Sequence, residues 1–362
     1  MINQDYEYVK KRWRQWWKRE NEDRPLVSVV APKNRKRYPE PKGGTLKEKW
    51  EDIEYIVKRE TFYYENTYYG GESFPMFNPN LGPDIYGAIL GDCDIEFAET
   101  TSWAKHFPAG GLENRSPFRF DENNRWWKKI RAMTEYAARE AQGKFLVGVT
   151  DIHSGLDALT SLYGPEEVCM ALYDCPEKVK ELLRSSEEVA SRVFRELFDI
   201  TESYQEGSMN WSQIWDPDGD YYITSCDFAC LVSEENFEDY IAPTVEREVA
   251  ALDTSMFHLD GVGALRHLDR LLSIKKLGGV QWVYGEGQPT ARAWKDVLQR
   301  IQNAGKNVQV NVAPDEIEEV CSFIKPQGAH FCMWAPDEDT AKAALARVEK
   351  CYLSGAVNLG GL

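Results

Sequence analysis

The chain has 362 residues, of which 43% are hydrophobic, 12% aromatic and 28% charged. This composition supplies a large core and excludes a disordered chain, a collagen-like repeat and a disulfide-stapled miniprotein. With 43 basic and 59 acidic residues the formal net charge is −16, and a field of that sign repels phosphate backbones and anionic lipids. We therefore expect neither a nucleic acid nor a membrane as a partner.

The sequence predicts a cytoplasmic protein with reduced thiols. No apolar run approaches the roughly 18 to 20 residues of a membrane span, and the N-terminus is charged from Asp5 onward, unlike a signal peptide. The 8 cysteines form no CxxC pair and are too sparse for a disulfide scaffold, although one or two remain candidate metal ligands.

The N-terminal segment is both basic and aromatic. Val9, Trp13 and Trp16 recur at helical spacing, which favours a helix packed on the body of the protein over one lying on a membrane or a polyanion. We expect residues 1–25 to form a helical extension of this kind.

Short apolar runs bounded by turn residues follow along the chain and are typical of strands covered on both faces. These runs are Leu26–Val30, Phe145–Ile152, Met209–Trp215, Ser255–Leu259, Gly279–Tyr284, Val308–Val312 and Ala329–Trp334. Helical patterns lie between them, near 47–66, 122–142, 176–199, 234–252, 290–304, 315–325 and 337–350. Alternating strands and helices predict parallel βα units.

The predicted fold is a single (β/α)8 TIM barrel domain spanning residues 1–362. An eighth strand is expected within 70–120, a Gly-, Pro- and aromatic-containing stretch that we interpret as a long inserted loop region. The alternative is an open doubly wound sheet, but no GxGxxG follows an early strand and no GxxxxGK[ST] occurs, so the nucleotide-binding fingerprints of that fold are missing.

Acidic residues follow four successive predicted strands, at Asp151, Asp216, Asp260 and Glu286. In a barrel the reactive side chains converge at the C-terminal ends of the strands. Individual acids of this kind are also common turn formers, but four in succession predict a polar, acidic pocket. We expect Asp151, Asp216 and Glu286 to position the substrate or to act as general acid.

His258 and Asp260 are two residues apart on one predicted strand, so both side chains point to the same face. Imidazole and carboxylate can begin a zinc site, and Cys332, near the end of the last predicted strand, supplies a third candidate ligand. The alternative is a histidine oriented by the aspartate for acid–base work without metal. Cys226 and Cys230, four residues apart, are interpreted as loop or core residues and not as a metal pair.

Aromatic residues also crowd the predicted strand ends. We expect Trp215, Tyr222, Trp282 and Tyr284 to contact the substrate. Such rings could enclose a methylated ammonium or stack on a planar molecule, and the sequence leaves both choices open, along with a role in the core.

Three segments carry a family resemblance. They are Asp174–Val179 (DCPEKV), Leu231–Pro243 (LVSEENFEDYIAP) and Phe257–Gly261 (FHLDG). Their order and spacing resemble those of the uroporphyrinogen decarboxylase superfamily, which also contains methyltransferases that act with corrinoid proteins. The likeness extends from about residue 140 to 350, and it implies a (β/α)8 barrel with its site at the C-terminal mouth.

The resemblance is closer to the methyltransferase branch than to the decarboxylases. Where the decarboxylases carry an arginine-containing segment that holds substrate carboxylates, this chain reads Ala31–Arg37 (APKNRKR). The methyltransferases bind zinc through a His-x-Cys pair and a later cysteine. Here His258 matches the histidine, Asp260 replaces the first cysteine and Cys332 stands where the later cysteine belongs. An oxygen ligand leaves zinc more electrophilic than a thiolate does, which suits an ether or amine substrate.

The resemblance therefore implies a zinc-assisted methyltransferase component that moves a methyl group between a small methylated substrate and a partner corrinoid protein. The corrinoid is expected on a separate protein, because Asp151–Gly155 (DIHSG) only approaches the D-x-H-x-x-G signature. Two alternatives stay open, a metal-independent decarboxylase or lyase of a small organic acid and a non-catalytic ligand-binding barrel. The sequence also leaves homodimer formation open.

Overall fold

The computed structural model describes residues 5–34, 41 and 43–353. Its strands are β1 Leu26–Pro32, β2 Thr67–Gly71, β3 Met76–Phe77, β4 Ile95–Phe97, β5 Ser102–Ala104, β6 Leu146–Val147, β7 Ser208–Met209, β8 Trp215–Asp216, β9 Tyr221–Ser225, β10 Thr254–Asp260, β11 Gly279–Val283, β12 Asn307–Asn311 and β13 Ala329–Trp334.

The helices alternate with the longer strands. They are α1 Tyr6–Trp17, α2 Leu46–Glu51, α3 Ile53–Asn66, α4 Ile85–Gly91, α5 Arg125–Ala141, α6 Gly155–Tyr163, α7 Pro165–Asp174, α8 Pro176–Glu202, α9 Glu234–Asn236, α10 Ala242–Ala250, α11 Leu268–Ser273, α12 Lys295–Asn303, α13 Ile317–Cys321 and α14 Glu338–Leu353. Short 3-10 turns at Asp227–Leu231, Val262–His267, Ala291–Trp294 and Pro314–Glu316 and a π turn at Phe237–Ile241 complete them.

A seven-stranded sheet with the order β2-β1-β13-β12-β11-β10-β9 forms the centre of the molecule. All its pairs are parallel except β1 with β2, which is antiparallel. Helices link successive strands because a parallel pair needs a crossover connection. The predicted α/β class with a mostly parallel sheet is confirmed. Over the residues that the structure describes, the ladder does not close on itself.

Smaller strand pairs continue the pattern beside this sheet. Strands β3 and β6 pair in parallel, and a parallel bridge joins Val149 to Asn210. The 70–120 region contains β3, α4 and the hairpin β4–β5, so it is more structured than a loop insertion.

The prediction of one strand over Met209–Trp215 is wrong. The chain instead forms two short antiparallel strands, β7 and β8, with a reversal between them. The reversal begins where the Asn210 side chain accepts hydrogen bonds from the Ser212 N–H (3.0 Å) and Oγ (2.7 Å), and Gln213 adopts a left-handed φ of 60°. An asparagine that bonds the backbone two residues later favours a turn over a strand.

Helix α1 covers the N-terminal ends of the sheet strands. Trp13 and Trp16 are completely buried, as their spacing indicated. The Trp17 ring packs on Tyr221, the first residue of β9, at 5.1 Å between centroids. These aromatic contacts cover only the N-terminal ends of the strands. We call the opposite ends of the parallel strands, which α1 leaves uncovered, the C-terminal edge. No helix in the described ranges is long and apolar enough to cross a membrane.

A buried ion pair joins α1, β1 and the end of β2. The Glu72 side chain is 0% exposed and accepts hydrogen bonds from Arg24 Nη2 (2.7 Å) and from the Val27 N–H (2.9 Å). Arg12 Nε lies 3.4 Å from the same carboxylate. Both guanidinium groups are buried. Removing the carboxylate takes away the 2.7 Å partner of Arg24, whereas Arg12 keeps its 2.7 Å contact with Asp23.

We therefore expect Glu72→Ala to lower the free energy of unfolding by about 3 to 5 kcal/mol. Urea denaturation followed by circular dichroism measures this change. Glu22→Ala is the matched control, because Glu22 is an exposed acid in the segment that joins α1 to β1. We expect this variant to change the free energy of unfolding by less than about 0.5 kcal/mol. Equal stabilities of the two variants would contradict this account.

Candidate metal and substrate site

Three potential metal ligands meet at the C-terminal edge of the sheet. His258 and Asp260 come from the end of β10, and Asp227 begins the 3-10 turn that follows β9. One ligand atom from each lies within 4.8 Å of the others, and Asp227 Oδ1 is 4.0 Å from His258 Nε2. Two carboxylates and an imidazole in this arrangement are a ligand set that a divalent cation can use.

A second group of ligands shares Asp227 with the first. It adds His153, from the loop after β6, and Asp157, in the first turn of α6. Asp157 also holds the Asp227 loop in place, since its carboxylate accepts hydrogen bonds from the backbone N–H groups of Asp227 (2.8 Å) and Phe228 (2.9 Å). The two groups therefore form one continuous cluster.

Trp211 lies between the two histidines. Its ring makes edge contacts with His258, at 5.0 Å between centroids, and with His153, at 6.2 Å. The indole thus forms an apolar wall for the cluster and restricts the rotation of both imidazole rings.

A row of hydrogen bonds crosses the face of the sheet that carries His258, which we call the polar face. Gln309 Nε2 donates to the backbone carbonyl of Ser212 at 3.0 Å, and this contact fixes the orientation of its amide. Gln309 Oε1 then accepts from Gln281 Nε2, so that Gln281 Oε1 faces His258 Nδ1. Because that oxygen can only accept, His258 carries its proton on Nδ1 and its Nε2 is free to bind a cation.

The same row continues in the other direction. Gln309 Nε2 is 3.2 Å from His330 Nδ1, and His330 Nε2 is 2.8 Å from Ser28 Oγ. His330 is completely buried, and this burial lowers its pKa to about 3. It is therefore a neutral histidine that accepts through Nδ1 and donates through Nε2.

His153 and Asp151 form a close pair beside the cluster, with Nε2 and Oδ1 3.0 Å apart. Burial of His153 works against the charged imidazolium, but the Asp151 carboxylate outweighs it and raises the pKa of His153 to about 10. In the metal-free protein His153 is therefore protonated at neutral pH.

Burial raises the pKa of two carboxyl groups in the cluster, Asp157 and Asp260. For each, a neighbouring histidine works in the opposite direction, and the Asp227 carboxylate raises the pKa further. This mutual repulsion shows that the carboxylates outnumber the nearby positive charges.

The structure separates the three carboxylates that were predicted to act on the substrate. Asp151 lies beside the cluster. Glu286 is exposed on the loop after β11, at the same edge of the sheet. Asp216 is not brought to this edge, since its carboxylate accepts a 2.6 Å hydrogen bond from Thr254, the first residue of β10. The length of that strand puts Asp216 about 20 Å from Asp260.

Cys332 lies on β13, two residues after His330, with its Sγ 3.8 Å from His330 Nε2. Burial raises the pKa of its thiol to about 12. The ligand group that contains His258 and Asp260 is completed by Asp227 and does not include Cys332.

The four predicted aromatic contacts also divide. Trp215 packs on Tyr6 of α1 at 5.5 Å, at the covered end of the sheet. Trp282 is completely buried against Trp294, at 5.2 Å, on the helix-covered side. The Tyr222 hydroxyl donates to the Thr150 carbonyl (2.8 Å).

Tyr284, half-buried just after β11, is the one of the four at the C-terminal edge. Successive side chains of a strand point to opposite faces. The Trp282 ring, next to Gln281 on β11, therefore fills the core on the helix-covered side and cannot reach the polar face.

Sequence reasoning missed Asp227, Asp157, Gln281 and Gln309 as parts of the site. The signal for the glutamines is an amide between apolar neighbours at the centre of each of two strands, GVQWV and NVQVN. Asp227 was hidden because the strand before it, Tyr221–Ser225, was not predicted.

Comparison with known proteins finds similarity to solved structures. A methyltransferase from Methanosarcina mazei matches with a TM-score of 0.60 and 10% sequence identity, covering 94% of this chain and 98% of that one. This likeness shows a shared fold. No family model matches the chain, and no curated protein matches it either.

The Asp151–His153 pair yields a pH-dependent prediction for the metal-free protein. Asp151→Asn should lower the pKa of His153 from about 10 to its ordinary range or below, because burial then acts without the compensating charge. Histidine NMR titration measures it, with the exposed Asp174→Asn as control.

Because the pKa of His153 is raised in the folded protein, its ion pair with Asp151 makes the stability of the fold depend on pH. The pair stabilises the wild type fully below about pH 6.5, and this contribution is lost as the pH rises through about 10. A His153 pKa that stays near 10 in Asp151→Asn would show that another group holds the proton.

Proposed function

We propose that this protein is a metal-assisted methyltransferase that moves a methyl group between a small methylated ether or amine and the cobalt of a partner corrinoid protein. The observation that carries the proposal is the group formed by Asp227, His258 and Asp260 at the C-terminal edge of a parallel sheet. The methyltransferase of similar fold supports the reaction class. We further propose that the strands close into a (β/α)8 barrel, whose sites lie at this edge.

The residues present fit a zinc ion. His258 offers Nε2 because the amide of Gln281 occupies Nδ1, and Asp227 and Asp260 offer carboxylate oxygens without a Lys or Arg ion pair among the described residues. Bound there, zinc supplies Lewis acidity to the atom that carries the methyl group. Asp227 takes the third position in this proposal instead of Cys332, which lies on β13, with β11 and β12 between it and β10, outside the ligand group.

The transfer exchanges one bond of the methyl carbon for another. The carbon gains a bond to cobalt and loses its bond to oxygen or nitrogen, which keeps the electron pair and takes a proton. We propose that Asp151 and Glu286 position the substrate or supply that proton, and that Trp211 walls one side of the pocket. Oxygen-rich coordination favours ether and amine substrates over thiols. Carboxylates donate less electron density to the cation than thiolates do and so leave it more electrophilic.

The direct test mixes the purified protein with a cob(I)alamin-loaded corrinoid protein or free cob(I)alamin and a panel of methyl ethers and methylamines. We expect the cobalamin absorbance to change to that of the methylated form with at least one substrate. His258→Ala should abolish the absorbance change together with the zinc held by Asp227, His258 and Asp260, while Cys332→Ser should leave that zinc in place.

Matched outcomes separate the alternatives. Zinc at one or more equivalents with no absorbance change across ethers, amines and thiols would overturn the methyltransferase proposal. Turnover of a small organic acid in protein that contains no metal would identify a lyase instead.

The hydrogen-bonded row makes a further prediction about metal affinity. Gln281→Leu removes the acceptor that holds His258 Nδ1–H, and such losses beside a metal ligand cost about 10- to 100-fold in affinity. Gln281→Glu restores an acceptor and should recover most of it. Competition with a chromophoric zinc chelator measures the affinity, and the exposed Gln288→Leu is the control. Unchanged zinc affinity in Gln281→Leu would refute the role of the row.

A further inference from the structure

We propose that the cluster binds two divalent cations, with Asp227 bridging them. This inference deepens the proposed function and rests on it, because the first cation is the one held by His258, Asp260 and Asp227. The second is held by His153, Asp157 and the other oxygen of Asp227.

The arrangement of ligands supports a pair of sites. Each group contains one histidine, and Asp227 belongs to both. Within each group the ligand atoms lie within 4.8 Å of one another, and the ligand atoms of a tetrahedral zinc ion are about 3.4 Å apart, so small side-chain movements bring each group around a cation. A carboxylate with two oxygens bridges cations about 3.5 to 4 Å apart in two-metal sites.

Charge gives an independent reason. Four carboxylates meet at this edge, from Asp151, Asp157, Asp227 and Asp260, and no Lys or Arg of the described residues forms an ion pair with any of them. In the metal-free protein the His153 imidazolium balances one of these charges, but a cation bound to His153 would displace its proton. One divalent cation would then balance only two of the four charges. Two divalent cations balance all four.

Polar atoms without partners surround the same cluster. Trp211 Nε1 and Ser225 Oγ are inaccessible to solvent and make no hydrogen bond to the described residues, and the buried atoms Asp151 Oδ1 and His153 Nε2 have only their 3.0 Å ion pair with each other. Ser225 is 9% exposed and pairs in register with His258 on the adjacent strand, so its hydroxyl points to the same polar face. Buried polar groups are almost always satisfied, and their concentration here points to ions and their bound waters.

The pair His153 and Asp151 fits the second position. Their nearest atoms are 3.0 Å apart, yet the contact does not have hydrogen-bond geometry. A cation beside His153 gives these groups a common partner.

The test measures metal content and magnetic coupling on the full-length protein. Metal-free protein is titrated with Mn²⁺, and bound metal is counted after desalting. We expect two Mn²⁺ per chain and the EPR spectrum of an exchange-coupled pair. His153→Ala and His153→Gln should each retain one Mn²⁺ with an uncoupled spectrum, and His258→Ala should likewise retain one. The variant Asp239→Ala, at an exposed acid outside the cluster, should keep both.

The outcomes distinguish this inference from the proposed function. One Mn²⁺ per chain that is lost in His258→Ala and unaffected in His153→Ala would overturn the second site and leave the methyltransferase proposal standing. Two coupled ions in a protein that transfers no methyl group would confirm the second site and overturn the methyltransferase proposal. Absence of bound Mn²⁺, repeated with Zn²⁺ and Co²⁺, would overturn both metal sites.

Discussion

The hydrogen bond from Gln309 to the Ser212 carbonyl determines the chemistry of the whole edge. A backbone carbonyl can only accept, so this one contact sets the direction of every amide in the row. The direction passes through Gln281 and ends at His258, which is left with a free Nε2 toward Asp227. A reversed row would present the wrong nitrogen to a cation. The position of the Ser212 carbonyl, in the turn between β7 and β8, therefore decides which nitrogen of His258 is free to bind a cation.

The two ends of the sheet have different roles because different residues cover them. Helix α1 closes the N-terminal end with completely buried indole rings, and the buried Glu72 ties that helix to β1. At the C-terminal end, burial raises the pKa of Asp157 and Asp260, and, against the effect of burial, the Asp151 carboxylate raises the pKa of His153. Stability is concentrated at one end, so the other can hold unsatisfied polar atoms, as functional sites commonly do.

Patterns in the sequence predicted the individual elements well where the strands are apolar and the helices amphipathic. Strand Ala329–Trp334 has the predicted bounds, and β10 through β12 differ by one or two residues. The irregular segments were harder to predict from the sequence, because a strand of two residues carries no hydrophobic periodicity. Tyr221–Ser225 was not predicted as a strand, since Tyr222 was placed among the aromatic residues at the strand ends, and Asp227 was lost with it.

The sequence by itself determined the α/β class, the parallel strands, the burial of the N-terminal helix and the position of His258 and Asp260 on one face at the end of a strand. These properties follow from local periodicity and from alternation along a strand. Only the tertiary structure decided which side chains join them, because strand register brings Gln281 and Gln309 beside His258, and a loop brings Asp227. It also removed Asp216, Trp215 and Trp282 from the site, since a residue's height along a strand and the face it occupies depend on pairing with distant segments.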